Sequence, residues 1–190
     1  MDIKHPSILA IAPGTRHLGF ATFDGTELVR FGVRSFRGRK TKKRLHSQAL
    51  VFLDSLSERQ HPTMLAIEDV FYVQARSCPA LHSLILLIRH WGKARKLKVI
   101  RYLPTAVKAH FCSGRKTRQA LAEAMVLRYR FLHAYSKPEK KKTQHYWQQM
   151  FDAVALSTLA CEEHLRPQDA LRGQARRRQD LLTLDPSRAA

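Results

Sequence analysis

The hydrophobic and polar positions along the chain predict a group of strands followed by alternating helices and strands. Short apolar or alternating runs, separated by Pro, Gly and Asp, predict a three-stranded meander at the start, with Asp24-Gly25 as a hairpin turn. Longer stretches, in which apolar residues recur every three or four positions, predict helices. The predicted strands are 7–12, 18–23, 27–34, 64–70 and 97–102, and the predicted helices are 42–58, 79–95, a short one from Pro104, 116–132 and 144–164. This order predicts an α/β fold with a mixed five-stranded sheet flanked by helices.

The charge of the chain is far from balanced, and this narrows the classes of function. Among 190 residues, 34 are Lys or Arg and 15 are Asp or Glu, which gives a formal net charge of +19. Such a basic excess is typical of proteins that bind a polyanion. We favour nucleic acid over an acidic membrane surface, because no strongly amphipathic basic helix is evident. No apolar run is long enough to span a bilayer and no signal peptide is evident, so we expect a cytoplasmic or nucleoid protein.

The length predicts one domain over 1–166, followed by a basic and flexible tail at 167–190. A further basic segment, 34–44, contains Arg39 and Lys40 and is expected to be mobile. The three cysteines are far apart in sequence. This spacing argues against both a zinc site and a disulfide framework.

Two carboxylates stand where the hydrophobic pattern predicts burial. Glu68 comes at the end of an apolar strand, and Asp152 lies within a mostly apolar helix. A buried carboxylate costs free energy unless it is paired or binds a metal ion. Asp69 is expected to point to the opposite face of the sheet, which makes it a poor ligand. Oxygen ligands of this kind favour Mg²⁺, and Mn²⁺ would serve equally.

Three short motifs resemble, in their order and spacing, those of the RuvC-type Holliday junction resolvases, a group within the RNase H-like (retroviral-integrase) superfamily. The first is Ile-Ala-Pro-Gly-Thr, in which the family has an Asp before the Pro-Gly-Thr and this chain has Ala12. The second is Glu-Asp-Val-Phe, in which Glu68 matches a family Glu, and the third is Phe-Asp-Ala-Val-Ala-Leu around Asp152. The resemblance spans most of 7–164 and implies an RNase H-like fold.

This resemblance implies a centre in which two Mg²⁺ ions promote phosphodiester hydrolysis. Glu68 and Asp152 would be metal ligands, and Ala12 marks the place of a missing Asp, so activity should fall by orders of magnitude. Gln149 stands one helical turn before Asp152, where the family has Asp or His, and His145, two turns before it, is expected to approach the scissile phosphate. Ala12 is either natural, in an inactive relative, or an engineered substitution that traps substrate. We favour the second because the rest of the motif is intact, although Gln149 argues for wider divergence.

The resemblance also implies a DNA-binding surface and a dimer. Phe71 matches an aromatic residue that the family inserts into the centre of the junction. Lys108 matches a lysine near the cleavage site, and basic residues before a helix N-terminus suit phosphates. The predicted DNA-binding residues are Phe71, Tyr72, Lys108, Arg115, Lys116, Arg118, Arg39 and Lys40. The apolar helix 79–95 would mediate a homodimer, unless it is an ordinary buried helix.

The sequence therefore predicts a structure-selective DNA endonuclease that resolves Holliday junctions by paired nicks, and that is inactive as written because of Ala12. Two alternatives stay open. One is a catalytically inactive relative that binds junctions or other branched DNA, and the other is an RNA-directed nuclease on the same fold. Contacts to phosphates do not distinguish these substrates, because they carry no base information.

Overall fold

The computed structural model describes residues 6–36, 41–69, 78–136 and 141–165. The strands are β1 (Ser7–Ala12), β2 (His17–Asp24), β3 (Glu27–Ser35), β4 (Met64–Glu68) and β5 (Lys98–Tyr102). The helices are α1 (Lys42–Gln60), α2 (Pro79–Ala94), α3 (Pro104–Phe111), α4 (Arg118–Arg128), α5 (His133–Ser136) and α6 (Lys141–His164), with a 3-10 turn at Arg130–Leu132. The predicted α/β fold with five strands is confirmed.

The five strands form one mixed sheet in the order β3-β2-β1-β4-β5. β1, β2 and β3 are an antiparallel meander, whereas β4 and β5 run parallel to β1. The meander turns at Gly25, whose positive φ of 56° is readily adopted by glycine. Because β1, β4 and β5 are parallel, their carboxyl ends meet at one edge of the sheet. Ligand sites of α/β proteins are commonly found at such an edge.

Alternate residues along the strands face two separate hydrophobic cores. Ala10 and Ala12 of β1 face the core formed with α3, α4 and α6. Leu9 and Ile11 face the core formed with α1 and α2. The sheet is therefore covered by helices on both faces, and each strand residue can be assigned to one of them.

Helix α4 is shorter than the predicted helix 116–132. It begins after Thr117, whose side-chain oxygen accepts a hydrogen bond from the backbone N–H of Ala120 at 3.1 Å. It ends at Arg128, because Tyr129 has a non-helical backbone with φ −123° and ψ 87°. The chain then continues into the 3-10 turn, so the apolar periodicity of the segment extends beyond the α-helix itself.

Two further boundaries differ from the prediction. β4 ends at Glu68 instead of continuing to residue 70, although the Asp69 N–H still donates to the Tyr102 carbonyl oxygen at 2.8 Å. α6 begins at Lys141, three residues before the predicted start. Neither difference moves Glu68 or Asp152 to another element.

Helix α2 buries its apolar side in the chain's own core. Leu84, Ile85 and Ile88 are completely buried and Trp91 is 7% exposed. They pack with α1 against one face of the sheet, and the remaining leucines of this face, Leu81 and Leu87, are partly buried against the same core. The apolar surface that suggested a dimer is thus used within the chain, and the homodimer stays a prediction from the resemblance.

Some predicted features lie outside the described residues. These are the DNA-binding residues Arg39, Lys40, Phe71 and Tyr72 and the tail 167–190. The predictions made for them stay predictions. None of the helices in the described part of the chain is both long enough and apolar enough to span a bilayer. The cysteines Cys78, Cys112 and Cys161 are free thiols, in keeping with their distant positions in the sequence.

Candidate active site

The carboxyl ends of β1 and β4 place Ala12 beside Glu68. Ile11 pairs with Ile67 in the parallel ladder, and Ala12 and Glu68 are the next residues along each strand. The side chain of Ala12 is completely buried and faces the core beneath α6. Glu68 shares that face, because side chains two residues apart point the same way and Ala66 lies in the same core. An aspartate at position 12 would therefore project next to Glu68.

Helix α6 brings Asp152 to the same face of the sheet, and Gly19 allows its close approach. Gly19 pairs with Ala12 in the antiparallel ladder. A Cβ atom on Gly19 would lie 1.8 Å from the backbone carbonyl oxygen of Gln149, which no side chain could tolerate. The helix backbone thus rests directly on β2 beside the end of β1. This contact sets the distance between the sheet and Asp152 on the helix.

Asp152 is buried, with 6% exposed, and its charge is only partly compensated. The Gln148 amide hydrogen-bonds the Asp152 carboxylate and also donates from Nε2 to the Arg118 carbonyl oxygen at 3.0 Å. Arg118 Nε lies 3.7 Å from Asp152 Oδ2, which is an ion-pair distance but too long for a hydrogen bond. Oδ2 is buried and accepts no hydrogen bond from the described residues. A buried carboxylate oxygen without a donor is suited to bind a cation.

Glu68 and Asp152 line one narrow pocket together with a lysine. The lining residues are Glu68, Pro104, Val107, Lys108, Leu121, Asp152 and Leu156. Lys108 comes from α3 and Arg118 is the first residue of α4, and the positive charges of both act on the two acids. The structure therefore brings four of the predicted site residues together, two acids and two bases.

The two acids of the pocket hold their protons more tightly than ordinary carboxyl groups. Burial raises the pKa of Glu68 to about 8, the negative charge of Asp152 adds to the rise, and Arg118 and Lys108 act against it. Burial raises the pKa of Asp152 as well, opposed mainly by the Arg118 guanidinium and the Gln148 hydrogen bond. Two carboxylates in one poorly hydrated pocket repel each other. A divalent cation or a proton relieves that repulsion.

The carboxylate oxygens of this pocket suit one divalent cation better than two. Glu68 and Asp152 offer carboxylate oxygens to a common pocket, and Asp152 Oδ2 has no hydrogen-bond donor there. Within the described residues, no three His, Cys, Asp or Glu side chains lie together in an arrangement that could hold a metal ion. A two-ion centre needs several converging carboxylates, and Ala12 supplies none. The predicted pair of Mg²⁺ ions therefore lacks one ligand here and stays a prediction.

The other predicted site residues lie outside this pocket or outside the described side chains. The amide oxygen of Gln149 is buried and has no hydrogen-bond partner among the described residues. It lies near Gly14, in the turn after β1, and not in the pocket. Arg115 and Lys116 are exposed in the segment before α4. His145 belongs to α6, but its side chain is outside the described part, so its predicted approach to a phosphate stays a prediction. Asp69 forms an ion pair with Arg101, with Asp69 Oδ2 3.3 Å from Arg101 Nη1, and does not line the pocket.

Sequence reasoning missed two residues that shape the site. Gln148 connects Asp152 with Arg118, and its position four residues before Asp152 on the same helical face was the available signal. Gly19 was the second, since a glycine inside a strand often marks the close approach of another backbone. Both residues act through contacts between distant elements, and Gln148 and Arg118 are 30 positions apart. Local hydrophobic patterns, which are read in windows of about 11–18 residues, do not report such contacts.

Replacing Glu68 with glutamine is expected to stabilise the chain at alkaline pH in the absence of divalent ions. The pKa of Glu68 rises from 4.5 to about 8 on folding. A raised carboxyl pKa favours the folded state at low pH, and this contribution is lost as the pH rises from about 4.5 towards 8. Glu68→Gln should therefore melt like the parent chain near pH 4.5 and at a clearly higher temperature at about pH 8, because even about 2 kcal/mol would raise the melting temperature of a chain of this length by roughly 4–8 °C.

Thermal melts in EDTA across this pH range measure the difference, and Glu58→Gln is the matched control. Glu58 is an exposed residue of α1, on the other face of the sheet, so its replacement should change the melting temperature equally little at every pH. A Glu68→Gln chain that is less stable than the parent at about pH 8 would show that Glu68 is ionised and well paired in the folded protein.

Comparison with known proteins supports the fold, and this support comes from structural matches without sequence matches. No protein-family model matches the sequence, and no curated protein does. The structure of T. thermophilus RuvC in complex with a Holliday junction substrate matches with a TM-score of 0.56 and 16% identity, over 83% of this chain and 98% of that one. A second Thermus thermophilus RuvC structure matches with a TM-score of 0.54 and 14% identity, over 82% of this chain and 97% of that one.

The structure of a eukaryotic resolvase is also similar to that of this chain. The crystal structure of the yeast mitochondrial Holliday junction resolvase Ydc2 matches with a TM-score of 0.52 and 14% identity, over 87% of this chain and 86% of that one. The mixed sheet, its strand order and the helices on both faces agree with the RNase H-like fold predicted from the motifs. The chain therefore has the fold of the RuvC-like resolvases, and the predicted resemblance is confirmed at that level.

Proposed function

We propose that this chain binds branched DNA of the Holliday-junction type at a nuclease-type site that has lost one carboxylate. The observation that carries the proposal is the row formed by Ala12 and Glu68 beneath Asp152, with Lys108 and Arg118 beside it. A methyl group occupies the place next to Glu68 where the motif of the resolvases has an acid. The chain thus keeps a site for the scissile phosphate and lacks part of the hydrolytic centre.

The charges around the pocket suit a phosphate more than a neutral ligand. Arg118 is half exposed, with 52% of its side chain accessible, so its guanidinium can reach a ligand while it remains near Asp152. Lys108 lines the pocket itself. The net charge of +19 adds a long-range attraction for any nucleic acid. Neighbours with the same fold include a RuvC in complex with a Holliday junction substrate, which supports branched DNA as the ligand.

Hydrolysis would need a divalent cation that Glu68 and Asp152 hold. Such an ion, when bound, lowers the pKa of water and neutralises charge on a phosphate that is being cleaved. Glu68 and Asp152 would hold the cation, and Lys108 and Arg118 would bind the substrate phosphate. Val107, Leu121 and Leu156 form an apolar wall that limits the access of bulk water. With Ala12 in place, we propose that binding persists and cleavage is largely lost.

A competition experiment tests this proposal. A labelled four-way DNA junction is bound to the chain at physiological salt and displaced with unlabelled junction, linear duplex or structured RNA of equal length. We expect the junction to compete at least about tenfold better than either linear duplex or RNA, because the fold presents phosphate contacts that match a branched path. Equal displacement by all three would mean that the chain binds any polyanion, and would contradict the proposal.

Removing either basic side chain of the pocket, Lys108 or Arg118, is expected to weaken DNA binding and to reduce its dependence on salt. Lys108→Ala and Arg118→Ala should each lower the slope of log affinity against log salt by about 1, since each removes about one phosphate contact. Fluorescence anisotropy with a labelled junction at several salt concentrations measures these slopes. Arg59→Ala is the matched control, because Arg59 lies at the end of α1 on the opposite face of the sheet and should leave the slope unchanged. Equal slopes for all variants would show that the pocket does not bind phosphate.

A further inference from the structure

The Arg118 guanidinium lies at a distance from Asp152 that leaves the carboxylate open to a second cation. Arg118 Nε is 3.7 Å from Asp152 Oδ2, which is within ion-pair distance but beyond the reach of a hydrogen bond. Oδ2 is buried and has no hydrogen-bond donor among the described residues. Strong ion pairs between arginine and a carboxylate make direct hydrogen bonds to the oxygen atoms. Arg118 therefore compensates the charge of Asp152 without occupying its free oxygen.

The two partners of this ion pair differ greatly in exposure. The Asp152 side chain is 6% exposed, whereas 52% of the Arg118 side chain is accessible. Asp152 lies within α6 among buried residues and cannot turn away from the pocket. Arg118 is the first residue of α4, and its long side chain can reach solvent from there. A DNA phosphate at the surface would therefore compete with Asp152 for the same guanidinium.

Gln148 holds the backbone of Arg118 in place while the Arg118 side chain stays free to turn. The buried Gln148 amide donates from Nε2 to the Arg118 carbonyl oxygen at 3.0 Å, and it also hydrogen-bonds the Asp152 carboxylate. Gln148 and Asp152 are four residues apart on α6, and so lie on the same face of the helix. One side-chain amide thus connects the acid with the main chain of the residue that compensates its charge.

Arg118 would lose its attraction to Asp152 when a divalent cation binds to the free oxygen. Without such an ion, the negative charges of Glu68 and Asp152 attract the Arg118 guanidinium. With the ion in place, two positive groups would lie close together in a poorly hydrated pocket, where their repulsion is strong. Arg118 can respond by turning its side chain towards solvent. The phosphate of bound DNA lies on that side under the proposed function.

We propose that Arg118 and a divalent cation alternate as the counter-ion of Asp152, and that Gln148 is the positioning residue that keeps Arg118 beside this acid. Arg118 turns to a DNA phosphate when the cation binds, so the cation strengthens the binding of DNA. Because such coupling is reciprocal, DNA strengthens the binding of the cation by the same factor. The proposal rests on the proposed function and deepens it, since it couples the two ligands of the site.

The coupling is measured as the ratio of two affinities for a labelled four-way junction, one with Ca²⁺ and one with EDTA. Fluorescence anisotropy at constant ionic strength gives both values, and Ca²⁺ is the probe because it binds carboxylate oxygens. The effect of Ca²⁺ on the DNA itself is the same for every variant and cancels when ratios are compared. We expect the ratio to be at least about fivefold larger for the parent chain than for Arg118→Ala.

Gln148→Met tests the positioning role, because methionine has a similar size and cannot donate a hydrogen bond. The first turn of α4 is then no longer connected to the acid, so the ratio should fall to that of Arg118→Ala. The double variant should fall no further. Gln148→Asn is the second variant, with an amide too short to contact both partners, and it should give the same ratio. A merely structural role of Gln148 would weaken binding equally in both buffers and leave the ratio unchanged.

Gln119→Met is the matched control for the Gln148 variants. Gln119 is an exposed residue of α4 next to Arg118, and its side chain donates to Glu123 of the same helix at 2.9 Å. The same chemical change at this position should therefore leave the ratio of the parent chain unaltered. A Gln119→Met ratio as low as that of Gln148→Met would show that the effect does not depend on the contact with Asp152.

A Mn²⁺ titration without DNA tests the competition between Arg118 and the cation directly. Arg118→Ala removes the competing positive charge, so we expect it to bind Mn²⁺ at least about fivefold more tightly than the parent chain. Electron paramagnetic resonance of the free ion gives the affinities. Equal or weaker binding by Arg118→Ala would overturn the proposal, because Arg118 would then not occupy the place of the cation.

The outcomes distinguish this proposal from the function on which it rests. If the junction binds but the parent chain and Arg118→Ala give the same ratio, the coupling through Arg118 is wrong and junction binding stands. If Arg118→Ala lowers the ratio and both Gln148 variants keep it, the positioning role of Gln148 is wrong. If the junction binds in neither buffer, the proposed function is wrong, and the coupling is wrong with it.

Discussion

Replacing Ala12 with aspartate is expected to convert this chain from a protein that binds four-way junctions into one that cuts them in the presence of Mg²⁺. The new carboxylate would project beside Glu68, on the face of the sheet that Asp152 also reaches. It would add a third carboxylate to Glu68 and Asp152, and two-ion hydrolysis requires several converging carboxylates. The cleavage rate should rise about a thousandfold or more, since the missing ligand accounts for several kcal/mol of transition-state stabilisation.

Single-turnover cleavage of an end-labelled junction measures this gain. The parent chain and Ala12→Asp are compared with Mg²⁺ and with EDTA, on a junction and on linear duplex of the same sequence. Ala12→Asp combined with Asp152→Asn is the matched control, because it restores the first acid while it removes another. We expect nicks near the branch only when Ala12→Asp is combined with Mg²⁺, and in no other combination of variant and buffer. If Ala12→Asp binds the junction but cuts no faster than the parent chain, the pocket is not a dormant nuclease centre.

Replacing Gly19 with alanine is expected to have the largest effect on stability. The added Cβ would lie 1.8 Å from the Gln149 carbonyl oxygen, which is backbone and cannot rotate away. Helix α6 would have to lift from β2, and it carries Asp152 and much of one core. We expect a loss of about 3 kcal/mol or more in the free energy of unfolding, and a melting temperature lower by roughly 6–12 °C.

Gly114→Ala provides the matched control for this prediction. A Cβ atom on Gly114 would meet nothing within 4 Å, so the same chemical change should leave the melting temperature almost unaltered. Junction binding should fall for Gly19→Ala at temperatures where the chain is still folded, because Asp152 and Gln148 move with the helix. A melting temperature within about 2 °C of the parent would mean that α6 does not rest on β2 at Gly19.

The sequence was sufficient to predict a mixed five-stranded sheet flanked by helices and to single out Glu68 and Asp152 as unusual acids. Glu68 and Asp152 stand out because each interrupts an apolar run, and Ala12 because it interrupts a recognisable motif. The parallel pairing of β1 with β4, which brings Ala12 beside Glu68, was not predicted, because it depends on a contact between distant parts of the chain. Local hydrophobic patterns with periods of two and about 3.6 residues are sufficient to predict the strands and helices.

What could not be predicted depends on contacts between distant parts of the chain. The Gln148 bridge between Asp152 and Arg118 exists only because α4 and α6 pack side by side. The end of α4 at Arg128 was missed because Tyr129 and Leu132 continue an apolar pattern that a 3-10 turn also accommodates. The apolar richness of α2 suggested a partner chain; α1 and the sheet cover most of that apolar side, and the homodimer stays a prediction.

The measurement that tests the central claim most directly is a Mn²⁺ titration followed by electron paramagnetic resonance, which counts free and bound ions without DNA. The claim is that Ala12 occupies the place of a carboxylate ligand beside Glu68 and Asp152. We predict weak binding by the parent chain, binding at least about tenfold tighter by Ala12→Asp, and loss of that gain when Glu68→Gln is added. Equal affinity of the parent chain and Ala12→Asp would contradict the account, because position 12 would then lie outside the metal centre.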